Sequence, residues 1–316
     1  MSTSDQGSIL LTGASGFIGG ACLRSLLRGT AEIHCVNRSG TGPQHDNVIW
    51  HAANLCDSGS ALRLVQSIRP TRLLHCAWIA TPGIYSTALD NLDWLEAGIA
   101  LLRAFGTYGG ERFVGVGTCA EYDWSAKFFA EDSTRLNPSS LYGHCKASMW
   151  TAAQACAKAH GFTTAWGRVF LPYGPGDAPE RLIPSVISAL QNRRVVETTN
   201  GTQRRDFVYV DDVADFLTRL LASTHEGAFN VGTGRATSVR EVTTALAEAL
   251  GGLSLIQFGA KPARPDEPAF LVADMAKAQA VLGWRSSVDL AAGLAACIHA
   301  DQSRQPSTQP GLSLHS

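Results

Sequence analysis

The stretch Ser8-Ile9-Leu10-Leu11-Thr12-Gly13-Ala14-Ser15-Gly16-Phe17-Ile18-Gly19 decides the fold. An apolar run of strand length feeds a glycine-rich turn, and a helical pattern follows from Gly19 to Leu27. Gly13, Gly16 and Gly19 are each three residues apart. In such a unit the first glycine permits the tight turn and the second lets a pyrophosphate approach the backbone. The third lets the helix pack on the strand. The helix N-terminus then offers free amides and partial positive charge to phosphates, with Ser15, Phe17 and Ile18 completing the turn. A glycine triplet alone also suits an ordinary turn. The flanking strand and helix favour a dinucleotide.

Working outward, strand patterns recur at Glu32 to Asn37, Arg72 to Cys76, Arg112 to Gly117 and Thr163 to Arg168. Helical patterns lie between them, at 59–68, 89–108 and 142–160. This alternation predicts an α/β fold with a doubly wound, Rossmann-like parallel sheet. After Pro172-Tyr173-Gly174-Pro175-Gly176 the rhythm breaks. We read residues 1–172 as the dinucleotide-binding domain and 173–300 as a smaller C-terminal substrate-binding lobe, some segments of which return to the first domain. The Ser-, Gln- and Pro-rich tail 301–316 reads as disordered.

The 316 residues, 45% apolar and 17% charged, suit a soluble protein with a sizeable core. A net charge of −1 provides no global field for nucleic acid or an anionic membrane, so any anion must meet a local basic site. No apolar run approaches a membrane span, and the polar N-terminus lacks the regions of a signal peptide. Eight cysteines without a Cys-x-x-Cys pair read as reduced thiols of a cytoplasmic protein, with no metal site expected.

A second strand of this kind ordinarily ends in an acid that holds the adenosine ribose of NAD. Here it ends Val36-Asn37-Arg38-Ser39. A carboxylate would repel a 2′-phosphate, whereas Arg and Ser would bind it, so NADP is expected, with NAD possible. Arg38 could also be a solvated loop residue. Asn54 and Leu55 are candidate adenine contacts, and Asp57 reads as a helix N-cap.

Tyr142-Gly143-His144-Cys145-Lys146 places a phenol and an ammonium one helical turn apart, on one face. A free Tyr, with a pKa of about 10, is a poor acid–base group near neutrality. A neighbouring ammonium favours the phenolate, and the same Lys can hold the nicotinamide ribose. Pro138-Ser139-Ser140 supplies the helix entry. Thr118 ends the strand before this helix, where its hydroxyl could bond a reacting oxygen or cap a turn.

With these residues in place, the chain resembles the extended short-chain dehydrogenase/reductase family of nucleotide-sugar epimerases, dehydratases and reductases, over roughly residues 8–295. The matching stretches include Thr12 to Gly19, His75-Cys76-Ala77, Thr118 to Tyr122, Pro138 to Lys146 and Arg181-Leu182-Ile183-Pro184. Arg205 to Val213, Phe229 to Gly232, Arg264-Pro265-Asp266 and Leu282-Gly283-Trp284 match farther on. The resemblance implies Tyr142 as acid or base, Lys146 as its partner and Thr118 as the third member. It also implies Ala77 against the cofactor, Arg205 and Arg264 on the substrate diphosphate, and Arg181 and Leu182 beside the nucleotide. Each arginine could instead form a surface ion pair, a fair reading for Arg205, which Asp206 follows.

Departures narrow the activity. Cys119 and Ala120 occupy the slots where the family's 4,6-dehydratases carry acids, and Glu121 comes one place later. Trp78, Tyr85, Cys119 and Glu121 are candidate substrate contacts, although the loop aromatics could equally be packing anchors. The expected activity is NADPH-dependent reduction of a ring ketone, at C4, of a nucleoside-diphosphate keto-deoxysugar. An NAD-dependent 4-epimerase is the alternative, and a non-catalytic dinucleotide sensor ranks below both. The helices at 89–108 and 142–160 resemble those that pair family members into a homodimer.

Overall fold

The computed structural model describes residues 7–126, 128–263 and 267–303. In chain order the strands are β1 (Ile9–Thr12), β2 (Ile33–Asn37), β3 (Val48–Ala52), β4 (Arg72–His75), β5 (Arg112–Thr118), β6 (Thr163–Val169) and β7 (Leu171–Tyr173). There follow β8 (Val196–Thr198), β9 (Arg204–Arg205), β10 (Phe207–Tyr209), β11 (Gly227–Val231), β12 (Thr237–Ser238), β13 (Ile256–Phe258) and β14 (Phe270–Leu271). The helices are α1 (Phe17–Leu26), α2 (Ser60–Ile68), α3 (Asp90–Thr107), α4 (Leu141–His160), α5 (Leu182–Gln191), α6 (Val210–Ala222), α7 (Val239–Ala249), α8 (Ala276–Leu282) and α9 (Leu290–Gln302).

Seven strands form one sheet in the order β11-β6-β5-β4-β1-β2-β3, every pair parallel. The doubly wound α/β sheet expected from the sequence is therefore present. Its central strands are buried on both faces, which is why Ile9-Leu10-Leu11 and Arg112 to Thr118 read as continuous runs rather than alternations. One face packs Leu11, Val114 and Val116 with Ala21 and Cys22 of α1 and Val213 and Leu217 of α6. The other packs Leu10, Leu73 and Phe113 with Leu64 of α2, Leu101 of α3 and Met149 of α4. The chain order reverses between β1 and β4, and a ligand crevice opens at such a switch point.

The seventh strand, β11, comes from well beyond residue 172. It pairs with β6 from Gly227↔Ala165 to Val231↔Val169, so the second half of the chain returns to complete the first domain. The remaining lobe has its own core, with Ile183, Ile187 and Leu190 of α5 against Val242 and Leu246 of α7 and Leu294 of α9. Small sheets edge it: β7 with β10, β8 with β13, and β9 between β12 and β14. The tail expectation is corrected at its start, because α9 runs through Gln302; residues 304–316 lie outside the described residues. Among the described residues, no helix is long and apolar enough to cross a membrane.

Candidate active site

The glycine turn is built as its spacing requires. Gly13 has φ +71°, and a Cβ there would stand 2.7 Å from the Ala77 nitrogen, so β1 and β4 approach at bare backbone. A Cβ on Gly19 would lie 2.0 Å from the Gly13 carbonyl oxygen, which explains the third glycine. Thr12 locks the strand ends together: its Oγ1 accepts the Ala77 N–H at 3.2 Å and pairs with His75 Nδ1 at 2.8 Å. Ser15 and Gly16 are exposed, and no side chain caps α1. Phe17 and Ile18 pack against the core behind the turn. The open first turn of α1, at a switch point and cleared of Cβ atoms, fits the pyrophosphate of a dinucleotide.

At the end of β2 the structure divides the three predicted cofactor residues. Asn37 is spent on its own loop: its Nδ2 donates to the Thr41 carbonyl at 2.7 Å, and its Oδ1 accepts from Gly40 N at 2.7 Å and from Ser39 N and Oγ at 3.1 Å. Ser39 Oγ also meets Thr41 Oγ1 at 2.9 Å. Arg38 is exposed, and no side-chain hydrogen bond or salt bridge among the described residues ties it down. Asn54 donates to Asp57 Oδ1 at 2.7 Å, and the Leu55 side chain is buried in the core. The N-cap expectation for Asp57 is corrected. Gly59, with φ +71°, immediately precedes α2, and the Asp57 carboxylate serves Asn54 instead.

Thr118, Tyr142 and Lys146 converge. Ser140 caps α4 by accepting the Gly143 N–H at 3.1 Å, and this entry sets Tyr142 and Lys146 one turn apart facing β5. The Tyr142 phenol lies beside Thr118, whose hydroxyl favours the ionised phenol and accepts the Ala120 N–H at 3.2 Å. Burial holds Tyr142 above the ordinary phenol value, reinforced by Tyr85 and opposed by the neighbouring Thr118 hydroxyl. This corrects the expectation that Lys146 would make the phenol more acidic. Lys146 is buried, donates to the Val116 carbonyl at 2.8 Å, and lies 6.0 Å from the Tyr142 ring centroid. Burial lowers Lys146 to about 7, opposed by the charges of Glu121 and Cys76.

The predicted substrate residues fall into two groups. Tyr85 stands edge-on to Tyr142 with centroids 5.0 Å apart, and the Arg181 guanidinium carbon lies 5.3 Å from the Tyr85 ring centroid. Arg181 immediately precedes Leu182, the first residue of α5, so this contact brings the second lobe against the Tyr142 side of the site, while Leu182 packs on that lobe's core. The others are differently employed. Trp78 lies 4.0 Å from Lys146 Nζ by ring centroid and donates from Nε1 to Asn91 Oδ1 at 2.8 Å, so it roofs the ammonium. Cys119 is buried beside Thr118, and burial pushes its thiol up to about 12. Glu121 is corrected outright: it has no exposed surface and turns inward from a short 3₁₀ turn, Cys119–Glu121. Arg205 is buried and paired with Glu267 at 2.7 Å, the ion-pair reading rather than an open phosphate clamp. Arg264 lies outside the described residues. Among the described residues, no group of three or more His, Cys, Asp or Glu could hold a metal ion.

Comparison with known proteins agrees with this geometry. The model of the NAD dependent epimerase/dehydratase family matches residues 9–232. The UDP-glucose 4-epimerase of Rhizobium meliloti is 28% identical, over 90% of this chain and 94% of that protein. The CDP-abequose synthase of Salmonella typhimurium is 26% identical, over 90% and 95%. The UDP-glucose 4-epimerase of Thermus thermophilus, solved as a complex with NAD, superposes with a TM-score of 0.83. It is 27% identical, over 94% of this chain and all of that one. Glycine turn, switch point, Tyr-Lys helix and matched span together place the chain in the NAD dependent epimerase/dehydratase family.

Proposed function

We propose that the protein is an NADPH-dependent reductase of a nucleoside-diphosphate keto-deoxysugar, acting on a ring ketone at C4. The observation that carries this reading is the end of β2. No acid stands where an NAD ribose is ordinarily held, and Arg38 is exposed with its guanidinium uncommitted. A nicotinamide dinucleotide on the Gly13 to Gly19 turn would supply the hydride. Tyr142, kept protonated by burial, delivers the proton to the developing alkoxide. Thr118 hydrogen-bonds that oxygen, and Lys146 would hold the nicotinamide ribose. Cys119 and Ala120 leave no acid there to drive water elimination, so dehydratase chemistry is disfavoured.

A 4-epimerase is the second reading, favoured by the names of the Rhizobium and Thermus relatives. One experiment separates them: nucleotide 4-keto-6-deoxysugars offered with NADPH and with NADH, followed at the nicotinamide absorbance. Stoichiometric consumption of NADPH supports the reductase. Consumption of neither, together with tightly bound NAD in the purified protein, favours the epimerase. Tyr142→Phe should reduce turnover by about 10²–10⁴-fold.

A homodimer through α3 and α4 completes the proposal, and α3 offers an apolar surface for it. Leu92 and Ile99 are 49% and 37% exposed on one face of that helix, around a depression of about 340 Å³. Sedimentation at 33.6 kDa and micromolar concentration would reject it.

A further inference from the structure

The Glu121 carboxylate sits under the catalytic strand, shut off from solvent, with three donors on it. Its Oε1 accepts the Thr118 N–H at 2.8 Å and Trp166 Nε1–H at 2.9 Å, and its Oε2 accepts Arg168 Nε–H at 2.8 Å. Room for it comes from Gly117, where a Cβ would lie 2.5 Å from Glu121 Oε1 and 2.1 Å from Trp166 Nε1. Arg168 carries the chain of bonds onward. It meets the Tyr122 hydroxyl at 3.3 Å, which donates to Asn230 Oδ1 at 2.7 Å, and Asn230 Nδ2 donates to the Phe129 carbonyl at 2.6 Å. Every member is buried and partnered, and such a network defines one arrangement of its members.

Lys146 approaches the same spot from α4. Its Nζ bonds the Val116 carbonyl two residues before Thr118 and lies 5.9 Å from the ring centroid of Trp166, the residue that donates to Glu121. Two active-site residues therefore converge on one carboxylate, the first by hydrogen bond and the second through its field. We propose that Glu121 is a positioning residue: it fixes the backbone of Thr118, and its negative charge favours the protonated form of the neighbouring Lys146. The inference rests on Thr118 and Lys146 being active-site residues, as in the proposed function. It adds a role for a buried acid that touches neither substrate nor cofactor.

The test reads Lys146 directly and needs no turnover, so failure of the ketosugar screen would not decide it. The protein is labelled at the lysine ε-carbon, Lys146 is assigned by loss of its resonance in Lys146→Met, and pH is titrated by NMR. Replacing only one partner of a buried pair leaves a stranded charge, so the charge-free form is the double variant Glu121→Gln with Arg168→Met. Its fold is checked by cooperative melting. Lys146 should then titrate measurably below wild type, because the Glu121 carboxylate acts on it more strongly than the Arg168 guanidinium lost with it. Glu121→Asp keeps the charge and withdraws the acceptor from Thr118; there Lys146 should stay within about half a unit of wild type. A wild-type titration in the double variant overturns the assignment. So does an aspartate variant that shifts as far as the charge-free one.

Discussion

The ring of Tyr85 meets the ring of Tyr142 edge-on, at 88° and 5.0 Å between centroids, while Arg181 of the second lobe lies 5.3 Å from the Tyr85 centroid. One aromatic thus joins α4 to the second lobe. An edge-to-face pair contributes about 0.5–1.5 kcal/mol and an exposed cation–π contact about 0.5–1 kcal/mol. Tyr85→Ala removes both. Its KM for the nucleotide sugar should rise about tenfold, the equivalent of about 1.4 kcal/mol. Tyr85→Phe keeps the ring, and its KM should stay within about threefold of wild type by the same arithmetic. Steady-state kinetics of the two variants check this. Equal losses in both would assign the effect to the hydroxyl.

Lys146 predicts a pH-dependent stability. Its folded value of about 7 lies below the ordinary 10.5 because the ammonium is buried. Below about 7 both states are protonated and the folded protein bears the full cost of burying the charge. Between about 7 and 10.5 the unfolded chain binds more protons, so folding stability rises with pH. Lys146→Met should therefore melt higher than wild type at pH 6, and the difference should shrink as pH approaches 10.5. Melting curves across that range measure it, and a gain independent of pH would contradict it.

The sequence carried the parts of this site that are local. The glycine spacing, the strand before it, the Ser140 entry and the Tyr142 to Lys146 turn are each contained in a few residues, and each has the local backbone shape the sequence predicts. What escaped is long-range. Residues 121 and 168 are far apart in sequence, and no periodicity signals that a 3₁₀ turn aims Glu121 at Arg168. Arg205 finds Glu267, Trp78 finds Lys146, and β11 finds β6 only through the tertiary fold. Two signals were nevertheless available. Gly115 and Gly117 interrupt a core strand, where missing side chains mark space for another residue, and Trp166 fills it.

The proposed preference for NADP turns on Arg38. A charge-assisted hydrogen bond contributes about 1.5–3 kcal/mol, so losing it from a 2′-phosphate should weaken NADPH binding by roughly 10–100-fold. Arg38→Ala should do this while leaving NADH binding almost unchanged, because Asn37, which shapes the loop, is intact. Fluorescence titration of each nucleotide against wild type and variant tests it. A parallel loss for both nucleotides would place Arg38 on the adenine or the shared phosphates and remove the basis for NADP preference.

The glycine turn permits a separation of fold from binding within one motif. On Gly19 an added methyl group would stand 2.0 Å from the Gly13 carbonyl oxygen, and that backbone is pinned by the approach of Ala77. Gly19→Ala must push α1 off β1, so both melting temperature and dinucleotide binding should fall. On Gly16 the nearest atom to an added methyl is the same oxygen, at 3.2 Å, and φ is −87°, a conformation open to any residue. A shift of a few tenths of an ångström accommodates it, so Gly16→Ala should melt within about 0.5 kcal/mol of wild type. Gly16 is nonetheless exposed at the head of α1, where a methyl would occupy the surface that the pyrophosphate approaches. Gly16→Ala should therefore keep its stability and lose dinucleotide affinity by tenfold or more, about 1.4 kcal/mol. Melting and nucleotide titration on the two variants, side by side, read the two effects independently. If Gly16→Ala bound NADPH and NADH as wild type does, the phosphates would lie elsewhere than on this helix.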